Sequence, residues 1–248
     1  MILVTNDDGI GADGLLALKK VLGALSEVVV VAPDREQSAT SHSLTLNHPL
    51  RVKEIEDSVL SLDGTPTDCV LLAFNGLLKE KPGLVVAGIN HGPNLGEDVS
   101  YSGTVAAAIE GTLQGAPSFA ISVAGKPPYS FEAASSFALK LAGRILEEGM
   151  DCQTLLNVNV PNLPGARISR VKVTKLGKRL YRDVLIKKVD PRGRAYYWIG
   201  GNEPSWQSAD GQTDFMAIEE GMISVTPLHL DMTDYARMSE MERWDLSS

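Results

Sequence analysis

LVTNDDGIGADG, residues 3–14, is the stretch whose reading decides the fold. Leu3-Val4-Thr5 continues an apolar start, and from Gly14 to Leu25 the apolar residues recur at helical spacing. A second apolar run, Val28 to Ala32, stops at Pro33. Strand, glycine-bearing turn, helix and strand in that order make a βαβ unit, which requires a parallel sheet. Two readings of the turn stay open. The spacing Gly9, Gly11, Gly14, with Asp34 twenty residues further on, matches a dinucleotide-binding fingerprint. Asp7 and Asp8, immediately before it, point to a metal.

The pattern continues downstream. Asp68 to Leu78, Thr104 to Leu113 and Phe131 to Glu148 read as helices. Leu84 to Ile89 is an uninterrupted apolar run suited to a strand buried on both faces, and Phe119 to Val123 and Leu155 to Val160 read as further strands. The fold class expected is therefore α/β: a Rossmann-like, doubly wound, mostly parallel sheet in three α/β/α layers. After Pro164 the texture changes. Ile168 to Leu176 and Val184 to Val189 alternate apolar and charged residues, and Asp190-Pro191-Arg192-Gly193 forms a turn before Tyr196-Tyr197-Trp198, so hairpin strands are predicted there. Glycine and polar residues fill 200 to 214, and Met222 to Val225 returns to a strand. The division predicted is a Rossmann-like catalytic core over 1–164, a β-rich extension with a C-terminal hairpin over 165–231 whose last strand returns to the core, and a polar tail over 232–248.

Composition narrows the function. With 44% hydrophobic and 22% charged residues the chain has the balance of a globular protein with a substantial core. No segment reaches the roughly 18 to 20 apolar residues of a membrane span. Met1 leads directly into Ile2-Leu3-Val4 without a basic region or cleavage site, so no export signal is expected and the location predicted is cytoplasmic. Cys69 and Cys152 both sit among apolar neighbours in the chain, and both are expected to be buried, reduced thiols. A net charge of −8 disfavours nucleic acid polymers as partners. Against that background, residues 166–194 carry eleven Lys or Arg and only Asp183 and Asp190. Such a segment is either a solvated hairpin or a positive arm that meets an acidic partner surface or steers anionic substrates.

In open parallel sheets ligands bind beyond the carboxyl ends of the strands. Those ends read Asn6-Asp7-Asp8-Gly9, Pro33-Asp34-Arg35-Glu36-Gln37-Ser38 and Asn90-His91-Gly92-Pro93-Asn94, and they converge on one rim. A pyrophosphate over Asp7 and Asp8 would meet two carboxylates, and like charges about 4 Å apart repel by about 4 kcal/mol at intermediate dielectric. A divalent cation reverses that sign. Asp7, Asp8, Ser38 and Asn90 offer only hard oxygens, which favours Mg²⁺ or Mn²⁺ over Zn²⁺. Ser102-Gly103-Thr104 heads a small-residue helix, where a cap leaves N–H groups and a positive dipole end suited to a phosphate.

TNDDG at the N-terminus, APDREQSATSHSLTL at 32–46, GTPTDCV at 64–70, GINHGPNLGEDVSYSGTVAAAIEG at 88–111 and SVTPL at 224–228 together closely resemble the SurE family of survival-protein nucleotidases, over roughly residues 1–231. Ala39 departs from the pattern, since many members have glycine after the ligand serine. The resemblance implies a metal-dependent phosphomonoesterase acting on nucleoside 5′- and 3′-monophosphates, and in some members on short polyphosphate, by metal-activated water. By matching positions it implies Asp7 and Asp8 as catalytic residues and, with Ser38 and Asn90, as ligands of one divalent cation per subunit. Asn6, Gly9, Asn94, Ser102, Gly103 and Thr104 are expected to hold phosphate and substrate, since phosphoryl transfer needs mainly positioning and charge neutralisation. It also implies a homodimer, or a tetramer, that exchanges C-terminal segments. Three rival readings remain: a dinucleotide-binding oxidoreductase using the Gly9/Gly11/Gly14 turn, a receiver-type signalling module, and a metal-binding assembly protein without hydrolytic activity.

Overall fold

The computed structural model describes residues 1–180, 185–199, 205–206 and 211–244. Arg182, Asp183 and Val184 of the basic segment, most of the glycine-rich stretch from 200 to 210 and the last four residues of the tail lie outside the described residues.

Thirteen strands are described. They are β1 (Ile2–Thr5), β2 (Val28–Pro33), β3 (Val52–Glu56), β4 (Val59–Leu62), β5 (Leu84–His91), β6 (Ser118–Ala124), β7 (Thr154–Pro161), β8 (Val171–Val173), β9 (Arg179–Leu180), β10 (Leu185–Val189), β11 (Ala195–Ile199), β12 (Ser205–Trp206) and β13 (Ile223–His229). Nine of them form one sheet in the order β3-β4-β2-β1-β5-β6-β7-β13-β8. From β4 to β7 every pair is parallel, with antiparallel pairs only at β3·β4 and β7·β13. Crossovers on both sides of β1 reverse the strand order there, and the carboxyl ends of β1, β2 and β5 lie side by side.

The helices are α1 (Asp13–Leu22), α2 (Pro66–Leu72), α3 (Gly103–Leu113), α4 (Glu132–Glu148), α5 (Asp214–Glu219) and α6 (Tyr235–Met241). On one face of the sheet, Leu15, Leu18 and Leu22 of α1 and Ala134, Ala138 and Ala142 of α4 pack onto Val4, Val86 and Ile121. On the other, Cys69 and Val70 of α2 and Val105 and Ala107 of α3 pack onto Leu3, Val31 and Ala87. This is the three-layer arrangement expected. The central strands contribute residues to both cores, which is why they read as continuous apolar runs.

The differences from the sequence reading have physical causes. Val52–Glu56 and Val59–Leu62 form an edge hairpin that alternation did not reveal, because all five residues of β3 are exposed. Ile168 to Leu176 is not an arm of the C-terminal hairpin: Val171–Val173 pairs in parallel with β13 at the sheet edge. The sheet thus takes strands from both sides of residue 164. The hairpin itself is β10 and β11, with Lys187 opposite Tyr197 and Asp190 to Gly193 as its turn. Cys69 is buried but Cys152 is exposed, in the turn before β7. Among the described residues no helix is long and apolar enough to cross a membrane.

Candidate functional site

Three loops build the rim. β1 leaves sheet geometry through Asn6, Asp7 and Asp8; β2 runs out into the loop carrying Glu36 and Ser38; and β5 ends on Asn90 and His91. The register of β5 against β6 shifts between Gly88 and Asn90, a bulge that re-aims the side chains beyond it. A cavity of about 520 Å³ opens among these ends, lined by Asp7, Asp8, Glu36, Ser38, Ala39, Asn90, His91, Asn94, Asp98, Tyr101, Ser102 and Tyr129. Asp7, Asp8, Ser38 and Asn90, expected to share an ion, open onto one space.

Each is held from behind. Asp7 accepts the Thr104 hydroxyl, and the Thr104 backbone bonds to it as well. Asp8 accepts the His91 backbone N–H at 3.3 Å, and His91 Nδ1 lies 3.2 Å from its Oδ1. Asn90 donates through Nδ2 to the Gly92 carbonyl at 2.8 Å, which occupies its donor side and leaves its amide oxygen for a ligand. Ser38 donates to Glu36 at 2.6 Å. Its neighbour Ala39 has φ +57°, a left-handed conformation that glycine adopts without the strain of a Cβ. The loop is anchored at several points. His42 bonds to buried Glu110 of α3, and the Thr45 N–H donates to Asp68, which also completes a capping box with Thr65 at the start of α2. The GTPTDCV block therefore positions the loop that carries Ser38.

The remaining predicted residues divide. Asn94 and Ser102 line the cavity. Asn94 is gripped by Ser122, Asn157 and Asn159, all fully buried, and Ser102 Oγ accepts the Val105 N–H as the cap of α3. Asn6, Gly9, Gly103 and Thr104 do not line it. Asn6 is buried and donates to the Gly9 carbonyl, which shapes the turn, and Thr104 is fully buried against Asp7. A Cβ on Gly103 would come within 2.9 Å of Asp7 Cβ and Oδ2, so that glycine lets the helix start approach the carboxylate. The N-terminus of α3 is thus answered first by Asp7, not by open space as the sequence suggested.

The electrostatics are one-sided. Asp7, Asp8, Glu36 and Asp98 all line the cavity, and among the described residues neither Lys nor Arg does. Burial pushes the Asp7 carboxyl above its ordinary range against the opposing bonds from Thr104. Burial, and then the Asp7 charge beside it, push Asp8 up to about 6. A bound dianion would add to this repulsion, whereas a divalent cation would relieve it. Among the described residues no group of three or more His, Cys, Asp or Glu is placed to hold a metal. The donor set is two carboxylates completed by neutral oxygens, which fits a hard cation.

The dinucleotide reading loses its parts. Asp34 opens on a separate cavity with Ile10, Arg51, Lys53 and Asp63. None of Gly9, Gly11 and Gly14 lines the cavity that Asp7 and Asp8 share. Gly14 does have a packing role, because a Cβ there would lie 2.1 Å from the Ile89 carbonyl oxygen.

Sequence reasoning missed the residues that tie the extension to this rim. Asp214, fully buried, accepts N–H groups of Gly96 (2.7 Å), Gly177 (2.9 Å) and Phe215 (2.9 Å). Arg179 pairs with Asp98, and Trp206 stacks on Phe215. The cavity wall from Asn94 to Ser102 thus leans on residues from beyond position 175. Asp214→Ala strips an acceptor from three buried donors, and is expected to lower stability by about 3 kcal/mol. Urea unfolding checks this; an unchanged midpoint would remove Asp214 from its bracing role. Asn157 and Asn159 did leave a signal, two amides at period two inside an apolar strand, which marks one polar stripe on a buried sheet.

Residues 2–183 match the family described as Survival protein SurE. A protein of Geobacter sulfurreducens named 5′-nucleotidase SurE is 54% identical over 248 residues, covering 100% of this chain and 94% of its own length. Another of that name, from Geotalea uraniireducens, is 51% identical over 247 residues, 99% of each chain. The crystal structure of the SurE protein from Aquifex aeolicus superposes with a TM-score of 0.86 at 43% identity, covering 97% of this chain and 98% of that one. On sequence and on architecture, the chain belongs to the SurE family.

Proposed function

We propose that this protein is a phosphoric monoester hydrolase that releases phosphate from nucleoside 5′-monophosphates, with one divalent cation, Mg²⁺ or Mn²⁺, held by Asp7, Asp8, Ser38 and Asn90. The observation that carries the reading is a cavity where Asp7, Asp8 and Glu36 gather with, among the described residues, no Lys or Arg on its lining, Asp98 being paired with Arg179, in a chain whose relatives are named 5′-nucleotidases. A phosphoryl group can enter such a space only with a cation. The names of the relatives supply the substrate class.

When bound, the cation neutralises phosphoryl oxygens and lowers the pKa of the attacking water. The chain's own residues do the positioning. Thr104 holds Asp7, the His91 N–H holds Asp8, and the bond from Asn90 Nδ2 to Gly92 would leave the Asn90 oxygen to serve as a ligand. Asn94, braced by Ser122 and Asn159, and Ser102, the cap of α3, contribute polar atoms to the wall beside them. No protein nucleophile is needed, since phosphoryl transfer runs largely on positioning and charge neutralisation. Action on 3′-monophosphates and short polyphosphate belongs to the same proposal, because the cavity is open and its polar wall addresses the phosphoryl group.

A homodimer or tetramer with exchanged C-terminal segments is supported by the hairpin. Every residue of β10 and β11 is exposed in the single chain, with Trp198 at 61% and Ile199 at 88%, and an isolated two-stranded hairpin is marginal in water. A second copy would cover it.

The test is phosphate release from 5′- and 3′-nucleotides and polyphosphate, with Mg²⁺, Mn²⁺ or a chelator. Chelation is expected to reduce release at least about 100-fold, the scale of losing several kcal/mol of charge stabilisation, with recovery on adding Mg²⁺ or Mn²⁺. Release indifferent to the chelator would sink the metal assignment, and no release from any substrate would sink the enzyme.

A further inference from the structure

We infer that His91 and Tyr129, with Tyr101, form an aromatic wall against which the base of the substrate stacks, on the same cavity as the carboxylate cluster. The inference rests on the phosphomonoesterase reading of that cavity. All three rings line it. His91 and Tyr129 are stacked, with centroids 5.6 Å apart and planes 7° from parallel. Phe131 buttresses both, 5.2 Å from His91 and 6.5 Å from Tyr129, tilted by 38° and 37°. Tyr101 is 60% exposed.

His91 also faces Asp8, but neither tyrosine ring has a part in the phosphoryl chemistry. The face of an aromatic ring carries partial negative charge and repels an anion, but it attracts a flat, uncharged heterocycle. Stacking of this kind serves every base, because each has a π-face. The wall also begins where the phosphoryl group would sit, since His91 Nδ1 is 3.2 Å from Asp8. Tyr129 is the ring stacked next to His91 on the same cavity.

The wall is built in advance. Tyr129 lies in the connection between β6 and α4, and Asn162, just beyond β7, clamps that connection from three directions. Its Oδ1 accepts the Ser130 N–H at 3.0 Å, and its Nδ2 donates to the carbonyls of Lys126 (2.8 Å) and Pro128 (3.0 Å). A loop held this way loses little freedom when a base arrives.

The test compares Tyr129→Leu and Tyr129→Phe with wild type on adenosine 5′-monophosphate and on ribose 5-phosphate, which lacks the base. Tyr129→Leu keeps apolar bulk against the core and removes the ring, so the ratio of kcat/KM for the two substrates is expected to fall about tenfold, through KM and not kcat. Tyr129→Phe is expected to keep the ratio. An unchanged ratio in Tyr129→Leu overturns the inference, as does an equal loss on both substrates. Calorimetric titration with the same two compounds reads the wall independently of turnover. If wild type released phosphate from neither, the functional reading would fall, and the preference in binding for the nucleotide over the sugar phosphate, lost in Tyr129→Leu, would still decide for or against the wall.

Discussion

Replacing Asp8 with asparagine is expected to lower phosphate release from a nucleoside 5′-monophosphate by about three orders of magnitude, and Asp7→Asn by a similar factor. Two charges about 4 Å apart interact by about 4 kcal/mol at intermediate dielectric, and each 1.36 kcal/mol is a factor of ten in rate. Asparagine keeps the shape and the hydrogen bond from His91 while removing the charge that would hold a cation. Folding should not suffer. Burial and the Asp7 charge raise Asp8 to about 6, so the folded protein holds that proton more tightly than the unfolded chain does. Stability from this group is therefore lost as pH rises from the ordinary carboxylate range through about 6, and the ionised form works against folding at pH 7. Asp8→Asn without metal should accordingly unfold no more readily than wild type at pH 7. Steady-state phosphate release and thermal unfolding on the same preparation check both halves. Near-normal turnover would remove Asp8 from the site.

The second large effect concerns folding. Gly14→Ala is expected to destabilise the protein by about 4 kcal/mol or more, at the far end of what overpacking produces. The added Cβ would sit 2.1 Å from the Ile89 carbonyl oxygen and 3.0 Å from its carbon, so α1 must move off β5. Leu15, Leu18 and Leu22 would move with it, and so would the turn carrying Asp7 and Asp8. For a domain of this size the melting temperature should drop by about 10 °C or more. Gly11→Ala is the control: nothing lies within 4 Å of its Cβ and its φ is not positive, so its effect should stay within about 0.5 kcal/mol. Equal melting points for the two variants would refute the packing role of Gly14.

These two glycines show how a motif can be legible and its meaning not. Gly9, Gly11 and Gly14 match a dinucleotide fingerprint by spacing, but spacing does not say which backbone approaches which. Gly14 is the most closely packed of the three, and its neighbour is a strand of the protein's own sheet. Asp34 likewise stands at the right sequence distance and faces a different cavity. The Ser102-Gly103-Thr104 head of α3 was legible as a helix start, and Ser102 does cap it. That Thr104 would turn back to Asp7 instead of facing a ligand required knowing that the β1 turn and the α3 start abut.

The layered α/β core, the strand ends that meet at the rim and the oxygen-rich residues on them follow from local pattern. Apolar periodicity is set by which faces are buried, and in a doubly wound sheet the loops after parallel strands fall on one edge. The last strand was expected to return to the core, but the tertiary structure alone decided what crosses long stretches of chain: the place of β13 between β7 and β8, the pairing of Val171–Val173 with it, and the buried Asp214 that braces the cavity wall 118 residues away in sequence. Alternation marks a strand but not its partner, and a buried carboxylate is recognised only by the donors around it, because those contacts come from packing and not from neighbours in the chain.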